Sequence, residues 1–528
     1  MGIKKYKADA DNTIASAYQS NLNTRGTGAN AGMADVLETF SIYGRQSSSS
    51  QELSRILIKF PMSGITTDRS SGAIPASGNV SFYLRLHNAP TSKTVPKDFK
   101  LIICGVSSSW QEGDGLDLEG YRDLTNGSTG SNWINAASGT AWTRPGGDYL
   151  TASAYPVYTQ SFSTGLEDVE VDVSALVEKW LAGTYSNYGF GIFFTGSEEA
   201  YYSGSNPTNG NVALGDSGSV LNIPNGAKTS FYTKRFFARG TQYFFKKPVL
   251  EARWDSSRRD DRGDFYYSSS LAPAADNSNV LYFYNYVRGR LRNIPGVGKG
   301  KISVSLYSGS ANNTGPSGSA LKLSVVDDGK DGGVKSAGNT NATGGWYATG
   351  IYTCSIAITS SSQDSAPLTV YDVWHSGSTQ YFTGSALPKR FTGQAQAREP
   401  VYYINITNLR DKYNSDETAR FNLYVRHKYW NPTIYTKAST NAPNTSIVSA
   451  SYRVTRVMDA YDAISYGTGS DFQTGLSYDV SGNYFDLDMK LLEPGYAYAL
   501  KFAFYDPELS TWTEQRGIFK FRVEDYEY

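Results

Sequence analysis

The chain has 528 residues, enough for about three domains, and its 49 Lys and Arg residues balance its 49 Asp and Glu residues. This balance argues against the large basic surface of a nucleic-acid-binding protein, and no run of 18 apolar residues is present to cross a membrane. With 52 Gly, 40 Tyr and 24 Phe, the composition is typical of an all-β protein with many turns.

Residues 1–255 are predicted to form one jelly-roll-like β-sandwich with a single short helix. The clearest pattern within it runs from Leu166 to Thr195, where a half-buried strand is followed by a helix and a second strand. We expect Ser174 to cap the helix and Gly183 to end it in a left-handed conformation. Trp180 lies on the apolar face of the helix and is predicted to close one end of the sandwich.

A long loop at 107–149 carries three tryptophans, Trp110, Trp133 and Trp142. Loops of this length either serve a function or are held together by their own packing. Three tryptophans favour self-packing, and the alternative is that these three residues form a contact surface.

The same loop carries a cluster of carboxylates that includes Glu112, Asp114 and Asp117. Carboxylate oxygens on a glycine-bent loop suit Ca²⁺, although the spacing is not that of an EF-hand. Ordinary solvated charges are the alternative interpretation. We predict no other cofactor, and the scattered histidines, His87, His375 and His427, argue against metal ligation by Cys and His. Cys104 and Cys354 lie in apolar strand-like runs, which predicts buried core residues without a disulfide.

Residues 256–275 are charged and polar and are predicted to be a linker. Within it, Arg262-Gly263-Asp264 spells an integrin-binding motif, which we interpret as chance. Residues 276–396 contain strands separated by Gly, Asn and Ser turns, which predicts an immunoglobulin-like sandwich.

Residues 397–528 are predicted to form a second immunoglobulin-like sandwich. Leu492-Glu-Pro494-Gly495-Tyr-Ala-Tyr498 matches the tyrosine-corner pattern, in which a tyrosine hydroxyl returns to the backbone upstream. The end of one strand mixes cationic and aromatic side chains, which predicts an exposed contact edge, with a solvated strand end as the alternative. The contact residues in this stretch are Arg426, His427, Tyr429 and Trp430.

No catalytic constellation is evident. Ser217 lies in a GDSG sequence like that around the nucleophile of chymotrypsin-like proteases, but only His87 precedes it, without that family's histidine context. The N-terminal stretch, MGIKKYKADAD, has no apolar core, so we expect no secretory signal. A β-rich, adhesive-looking protein without an export signal is unusual on a bacterial surface. It is normal in a virus that leaves its host by lysis.

Several motifs occur in an order known from one family. They are DNTI at 11–14, Asn30-Ala31-Gly32, SRILIKF at 54–60, Trp110-Gln-Glu112, the stretch from Trp142 to Asp148, DVSALVEKWLAG with NYGFGIFF, and KPVLEARW at 247–254. In these motifs the first half resembles the DNRLRE family of β-sandwich modules, which is related to carbohydrate-binding modules. The resemblance implies a lectin-like sandwich, but the spacing after Trp142 departs from a minimal module, so no ligand residue is carried over.

The whole chain further resembles virion structural proteins of contractile-tailed marine bacteriophages. This resemblance implies a role in the particle without saying where. We predict a non-enzymatic component of the virion tail, baseplate or fibre attachment, because host contact and fibre attachment most need modular spacers. Its expected partners are other virion proteins, in multiple copies, and host-surface glycan. Neck or capsid decoration is one alternative. A carbohydrate-binding or glycan-depolymerising protein acting on the host surface is the other.

Overall fold

The computed structural model describes residues 2–43, 51–92, 94–116, 118, 120–121, 130–203, 220–270, 272, 277–310, 312–323, 339–359, 369–390, 401–430, 444–467, 471–507 and 509–525. The chain is an all-β protein, as predicted, with a jelly-roll-like sandwich followed by two immunoglobulin-like sandwiches. It divides into two compact units, Ile3–Trp254 and Asp255–Tyr528.

The N-terminal sandwich is built from two main antiparallel sheets. Their strand orders are β1-β13-β5-β10 and β12-β3-β4-β11-β6-β9, with β2 also paired to β4. The elements are β1 (Ile3–Lys7), β2 (Ala10–Ala15), β3 (Val36–Ile42), β4 (Glu52–Lys59), α1 (Met62–Ser71), β5 (Ser81–Leu86), β6 (Phe99–Gly105), β7 (Asn135–Ala137), β8 (Thr140–Ala141), β9 (Val157–Phe162), β10 (Val169–Asp172), α2 (Ser174–Leu181), β11 (Phe190–Phe194), β12 (Phe231–Phe237) and β13 (Val249–Arg253).

Helix α2 closes the core between these sheets, as the sequence predicts. Trp180 is 5% exposed, and its ring centroid lies 4.8 Å from that of Phe190. Gly183 has the predicted left-handed backbone, with φ of 70°. The prediction that Ser174 caps the helix is wrong, because its hydroxyl accepts the Phe82 N–H at 2.7 Å and makes no capping bond.

Helix α1 was not predicted, and the expectation of one short helix is therefore wrong. Only Ile65 of its ten residues is buried, so the sequence shows no apolar face with helical spacing. Polar contacts hold the helix instead: Arg69 forms a two-bonded ion pair with Glu178 of α2, and the Tyr6 hydroxyl donates to Asp68. Neither described helix has the length and apolar character that crossing a membrane requires.

The second sandwich is one rolled antiparallel sheet of order β14-β20-β19-β17-β21-β22, with β18 on β17. Its two edge strands come close to each other, since the Phe283 ring of β14 stacks on the Phe382 ring of β22 with 5.2 Å between the ring centroids. The strands are β14 (Asn279–Tyr284), β15 (Tyr286–Val287), β16 (Arg290–Leu291), β17 (Lys301–Gly309), β18 (Pro316–Ser317), β19 (Ala342–Ala348), β20 (Ile351–Ile356), β21 (Val370–Ser376) and β22 (Thr379–Ala386). Cys354 in this sandwich and Cys104 in the first are both free and buried, as predicted.

The third sandwich has two sheets, β23-β25-β29-β28 and β24-β32-β30-β26-β27, with β31 on β30. Among the described strands all pairs are antiparallel except the second strand, β24, and the last, β32, which run parallel. The strands are β23 (Tyr402–Ile406), β24 (Lys412–Asn414), β25 (Thr418–His427), β26 (Ala450–Arg456), β27 (Asp462–Ile464), β28 (Ser477–Asp479), β29 (Gly482–Asp488), β30 (Ala497–Asp506), β31 (Thr511–Glu514) and β32 (Phe519–Glu524).

The tyrosine corner of this sandwich is formed as predicted. The fully buried Tyr498 donates its hydroxyl to the Glu493 carbonyl at 2.7 Å. Leu492 is buried, and Gly495 adopts a φ of 87° that allows the chain to turn into β30. The hydrogen bond ties the corner to the strand that follows it, so the turn and the core are fixed together.

Candidate functional site

The described part of the tryptophan loop folds back over the outer face of the sheet that contains β4. That face carries Leu53 and Leu57, which would otherwise be exposed, and the loop covers them with apolar side chains. Trp133 is fully buried and Trp142 is 5% exposed. These two tryptophans therefore cannot form a contact surface, and that prediction is wrong for them.

Trp110 lies at the edge of the same cluster and is partly buried. Its indole N–H donates to the Tyr188 carbonyl at 2.7 Å, which fixes the ring against the chain entering β11. The indole N–H of Trp142 is likewise satisfied, by the Asn132 carbonyl at 2.8 Å. The loop thus packs on its own sheet, as the self-packing interpretation expects.

Two buried asparagines from the family-like motifs hold the loop in place. The Asn12 amide donates to the Ser131 carbonyl at 2.8 Å. Asn30 donates to the carbonyls of Glu112 and Ser131 and accepts the Gly115 N–H at 2.8 Å. Since each amide satisfies backbone groups that would otherwise be buried unpaired, these side chains serve the fold and leave little free for a ligand.

A buried ion pair that the sequence analysis did not identify lies beneath the loop. Arg55 and Glu199 are 8% and 7% exposed, and two guanidinium nitrogens of Arg55 bond the carboxylate at 2.7 to 3.0 Å. Arg55 also donates to the Gly146 carbonyl and lies 4.6 Å from the Phe193 ring centroid. The sequence signal was available, because Arg55 lies between Leu53 and Leu57 on one face of a largely apolar strand.

The proposed calcium ligands are only partly within the described residues. The Glu112 carboxylate is held by Arg239 through two bonds of 2.9 and 3.0 Å and also accepts the Asp11 N–H. Asp114 is exposed, and Asp117 lies outside the described residues. Among the described residues no group of three or more His, Cys, Asp or Glu side chains could hold a metal ion. Calcium binding at this loop stays a prediction, with Glu112 engaged by an arginine.

Of the two residues considered for a protease site, Ser217 and His87, the structure describes only His87. Ser217 lies outside the described residues. His87 is buried and its Nδ1 lies 2.9 Å from the Asp168 carboxylate; burial lowers the pKa of His87 and outweighs the opposite effect of that carboxylate. Nearby, the ammonium of the buried Lys234 is held by three neutral oxygens, from Asn88, Gly165 and Glu167, at 2.6 to 2.8 Å.

The four residues of the predicted contact edge in the third sandwich are exposed or partly exposed, and their contact role stays a prediction. Tyr429 is 76% exposed, His427 is exposed, and Arg426 and Trp430 are partly exposed. The Arg426 guanidinium lies 5.0 Å from the ring centroid of Tyr403 on the neighbouring edge strand β23 and 5.9 Å from that of Trp430. We call these four residues with Tyr403 the aromatic–cation edge.

The predicted linker at 256–275 is wrong over its described part, because that segment is packed. Phe265 and Tyr267 are buried in the core of the second sandwich. Arg262 is paired with Asp260 and Asp372 at 2.6 and 2.7 Å, so the integrin-like motif does not present a free arginine.

The same segment is also hydrogen-bonded to the third sandwich. The Tyr478 hydroxyl of β28 donates to Asp261 at 2.6 Å, and the Asp260 N–H donates to the Tyr478 carbonyl at 3.0 Å. Burial raises the pKa of Asp261 to about 6 and that of Asp260 to about 7. Residues 255–264 therefore connect the second and third sandwiches through side-chain and backbone hydrogen bonds, and we call them the splint segment.

Comparison with known proteins does not identify a family: no family model and no curated protein matches the chain. Among solved structures, fibronectin(III)-like modules of Clostridium thermocellum CbhA align with 51% of this chain and 93% of that chain, at 12% identity and a TM-score of 0.14. The adhesin InvE of Yersinia pseudotuberculosis aligns over 47% and 59%, at 12% identity and a TM-score of 0.14. The Ig1-2 module of the Drosophila receptor protein tyrosine phosphatase DLAR aligns over 48% and 91%, at 7% identity and a TM-score of 0.14. At these scores the alignments carry no argument about what the chain does.

Proposed function

We propose that the chain is a non-enzymatic structural component of a tailed bacteriophage virion, located at the tail, baseplate or fibre attachment, where it binds other virion proteins. The observation that carries the proposal is the aromatic–cation edge. It combines large rings with an arginine on a strand end, and such side chains are enriched where proteins bind each other. Neck or capsid decoration is the alternative location, and host-glycan contact is a further role.

The stiffness of the C-terminal unit supports an adaptor role. Sandwiches that close their own cores present surfaces at fixed positions, and the splint segment restrains movement between the second and third sandwiches through the Asp261–Tyr478 hydrogen bond. A rigid pair of modules transmits position from one partner to another. Such a role needs contact surfaces and no catalytic centre.

The test is to find the chain in purified particles by mass spectrometry and to locate it by antibody labelling and electron microscopy. Labelling at the tail or baseplate supports the proposal, and labelling at the neck or capsid supports the alternative. Absence from the particle, or hydrolysis of peptides or polysaccharides that Ser217→Ala abolishes, would overturn the proposal.

The aromatic–cation edge is tested separately, by complementing particles that lack the chain with variants. Arg426→Ala and Trp430→Ala should lower incorporation into particles. Trp512→Ala is the matched control, because Trp512 is 43% exposed on the third sandwich but is not part of the edge. Equal incorporation of all three variants would contradict a role for the edge.

A further inference from the structure

Strand β23 of the third sandwich has a strand neighbour on one side only. It ends the sheet of order β23-β25-β29-β28. At its two ends the Lys428 N–H donates to the Val401 carbonyl at 2.7 Å, and the Thr407 N–H donates to the Asn422 carbonyl at 2.9 Å. Because the backbone groups of successive residues point to opposite sides of an antiparallel strand, these two bonds fix which residues of β23 face away from β25.

Tyr402, Ile404 and Ile406 are the residues whose N–H and C=O groups face away. They alternate with Tyr403 and Asn405, whose backbone groups face β25. Among the strands that the structure describes, none pairs with β23 on its outer side. Such an edge is a template for a further strand, and proteins often protect it with proline or with charged side chains. The sequence of β23, YYINI, contains neither.

The side chains next to this edge carry charge that no described carboxylate neutralises. Arg426 and the adjacent Lys428 each lie against an aromatic ring, and neither forms an ion pair within the described part of the chain. Arg420, on the same strand β25, is by contrast paired with Asp486 at 2.8 Å. A cation–π contact holds a cation in place and leaves its net charge unchanged. The edge is therefore positively charged.

The guanidinium of Arg426 reaches towards the outer side of β23. Arg426 is paired with Tyr403 across the two strands, and its guanidinium lies 5.0 Å from the centroid of the Tyr403 ring. The Tyr403 side chain is 49% exposed. A strand added to β23 would lie about 4.8 Å from it, so side chains on the exposed face of that strand would come close to Arg426.

We propose that β23 binds an extended segment of another virion protein, which adds to the sheet as a further strand and carries acidic side chains on its exposed face. Main-chain hydrogen bonds to Tyr402, Ile404 and Ile406 supply affinity, and carboxylates near Arg426 and Lys428 supply selectivity. A second copy of β23 fits less well, because it brings two Arg426 side chains of like charge to one face. The inference rests on the proposed function and names how the aromatic–cation edge binds its partner.

The charge requirement is tested by fluorescence anisotropy on the full chain, with a short synthetic peptide of alternating valine and glutamate as the probe. The peptide should bind, and Arg426→Ala should weaken binding by about tenfold, because a charge-assisted contact is lost. A peptide of the same length with lysine in place of glutamate should not bind. Arg410→Ala is the matched control, because exposed Arg410 of the same sandwich is already paired with Glu417.

The main-chain requirement is tested by Ile404→Pro. Proline removes the outward N–H and leaves the bonds to β25 in place, since an edge strand tolerates proline where its N–H faces solvent. Binding of the glutamate peptide should fall by about tenfold or more, because the pairing of the added strand is interrupted. Ile404→Val keeps the N–H and should bind as the wild type does. Thermal unfolding checks the fold of each variant, and a glutamate peptide with N-methyl groups on alternate residues tests the same bonds on the wild-type chain.

No binding of the glutamate peptide, equal binding of the lysine peptide, or undiminished binding of the N-methylated peptide would each overturn the proposal. Self-association that Ile404→Pro abolishes would assign the edge to a second copy and overturn it as well. If Arg426→Ala lowers incorporation into particles and folded Ile404→Pro does not, strand addition is wrong while the proposed function stands. If the peptide binds as expected and the chain is absent from the particle, the proposed function alone is wrong.

Discussion

Two aromatic-rich segments with similar side chains adopt opposite environments. In the loop at 107–149, Trp133 is fully buried under a sheet face, whereas at the end of β25 Tyr429 is 76% exposed. Each segment has a cation beside its rings, but Arg55 under the loop is neutralised by Glu199 while Arg426 faces aromatic rings on the surface. The difference teaches that the composition of a segment does not decide whether its aromatic side chains are exposed. That depends on whether an apolar sheet face is available for the segment to cover.

The largest effect is expected where the loop is anchored. Trp133→Ala should lower the free energy of unfolding of the N-terminal unit by about 5 kcal/mol, because a large buried ring is replaced by a cavity. Denaturant titration measures this loss in the unfolding of the N-terminal unit, with Tyr243→Ala, which removes a 53% exposed ring of the same unit, as the control. A wild-type unfolding midpoint for Trp133→Ala would place the ring on the surface and remove the contrast between the two segments.

Breaking the buried ion pair should cost slightly less. Glu199→Ala leaves the Arg55 charge buried without its carboxylate, and we expect a loss of about 3–4 kcal/mol in the same titration. Replacing both residues, as Arg55→Met with Glu199→Leu, should restore part of the loss because no unpaired charge then remains. If the double variant is no more stable than Glu199→Ala, charge burial is not the cause.

The buried Lys234 gives a smaller effect that depends on pH. Burial lowers the pKa of Lys234 to about 8 in the folded protein, against about 10.4 for a lysine in an unfolded chain. Between these values the unfolded state binds more protons, so the contribution of Lys234 to stability rises with pH from about 8 to about 10.4.

Lys234→Met should abolish that part of the pH dependence. The measurement is the difference in unfolding free energy between wild type and variant at several pH values in that interval. Because tyrosines titrate in both proteins, the comparison with the variant isolates the lysine. Parallel curves for the two proteins would show that Lys234 keeps an ordinary pKa.

The smallest effect on stability is expected at the exposed edge. Tyr429→Ala should change the free energy of unfolding by no more than about 0.5 kcal/mol, because the side chain buries little surface. The same variant should reduce binding to a virion partner if the aromatic–cation edge is a contact surface. Loss of stability comparable to that of Trp133→Ala would mean that Tyr429 is part of a core.

Local sequence patterns predicted the secondary-structure elements whose apolar residues repeat at a regular spacing, and the turn that has a recognisable sequence. The alternation around Val169 and the apolar face of Trp180 predicted β10 and α2, and the Pro494-Gly495 turn predicted the tyrosine corner. The sequence did not reveal α1, whose residues have no apolar period, and it did not reveal what covers an exposed sheet face. That coverage depends on strand pairings between distant residues, such as β1 with β13, which no local window contains.

The candidate sites depend even more on such distant contacts. The aromatic–cation edge lies on β23 and at the end of its neighbour β25, and all of its residues except Tyr403 could be named from the sequence. The packing of the splint segment could not be predicted, because Arg259 reads as part of a charged linker until its backbone is seen to pair with Tyr478. The contact-surface prediction for Trp133 and Trp142 was wrong for the same reason, since the sheet beneath them was not visible.

The parallel pairing of β24 with β32 has a mechanical consequence. β24 is the second strand of the third sandwich and β32 is its last, and Lys412 to Asn414 run in the same direction as Arg522 to Glu524. When the domain is pulled by its ends and β23 has separated from β25, β24 and β32 are drawn past each other, so their hydrogen bonds carry the load together. An antiparallel pair pulled from one end would instead open one bond at a time. The third sandwich is therefore built to resist tension along the chain.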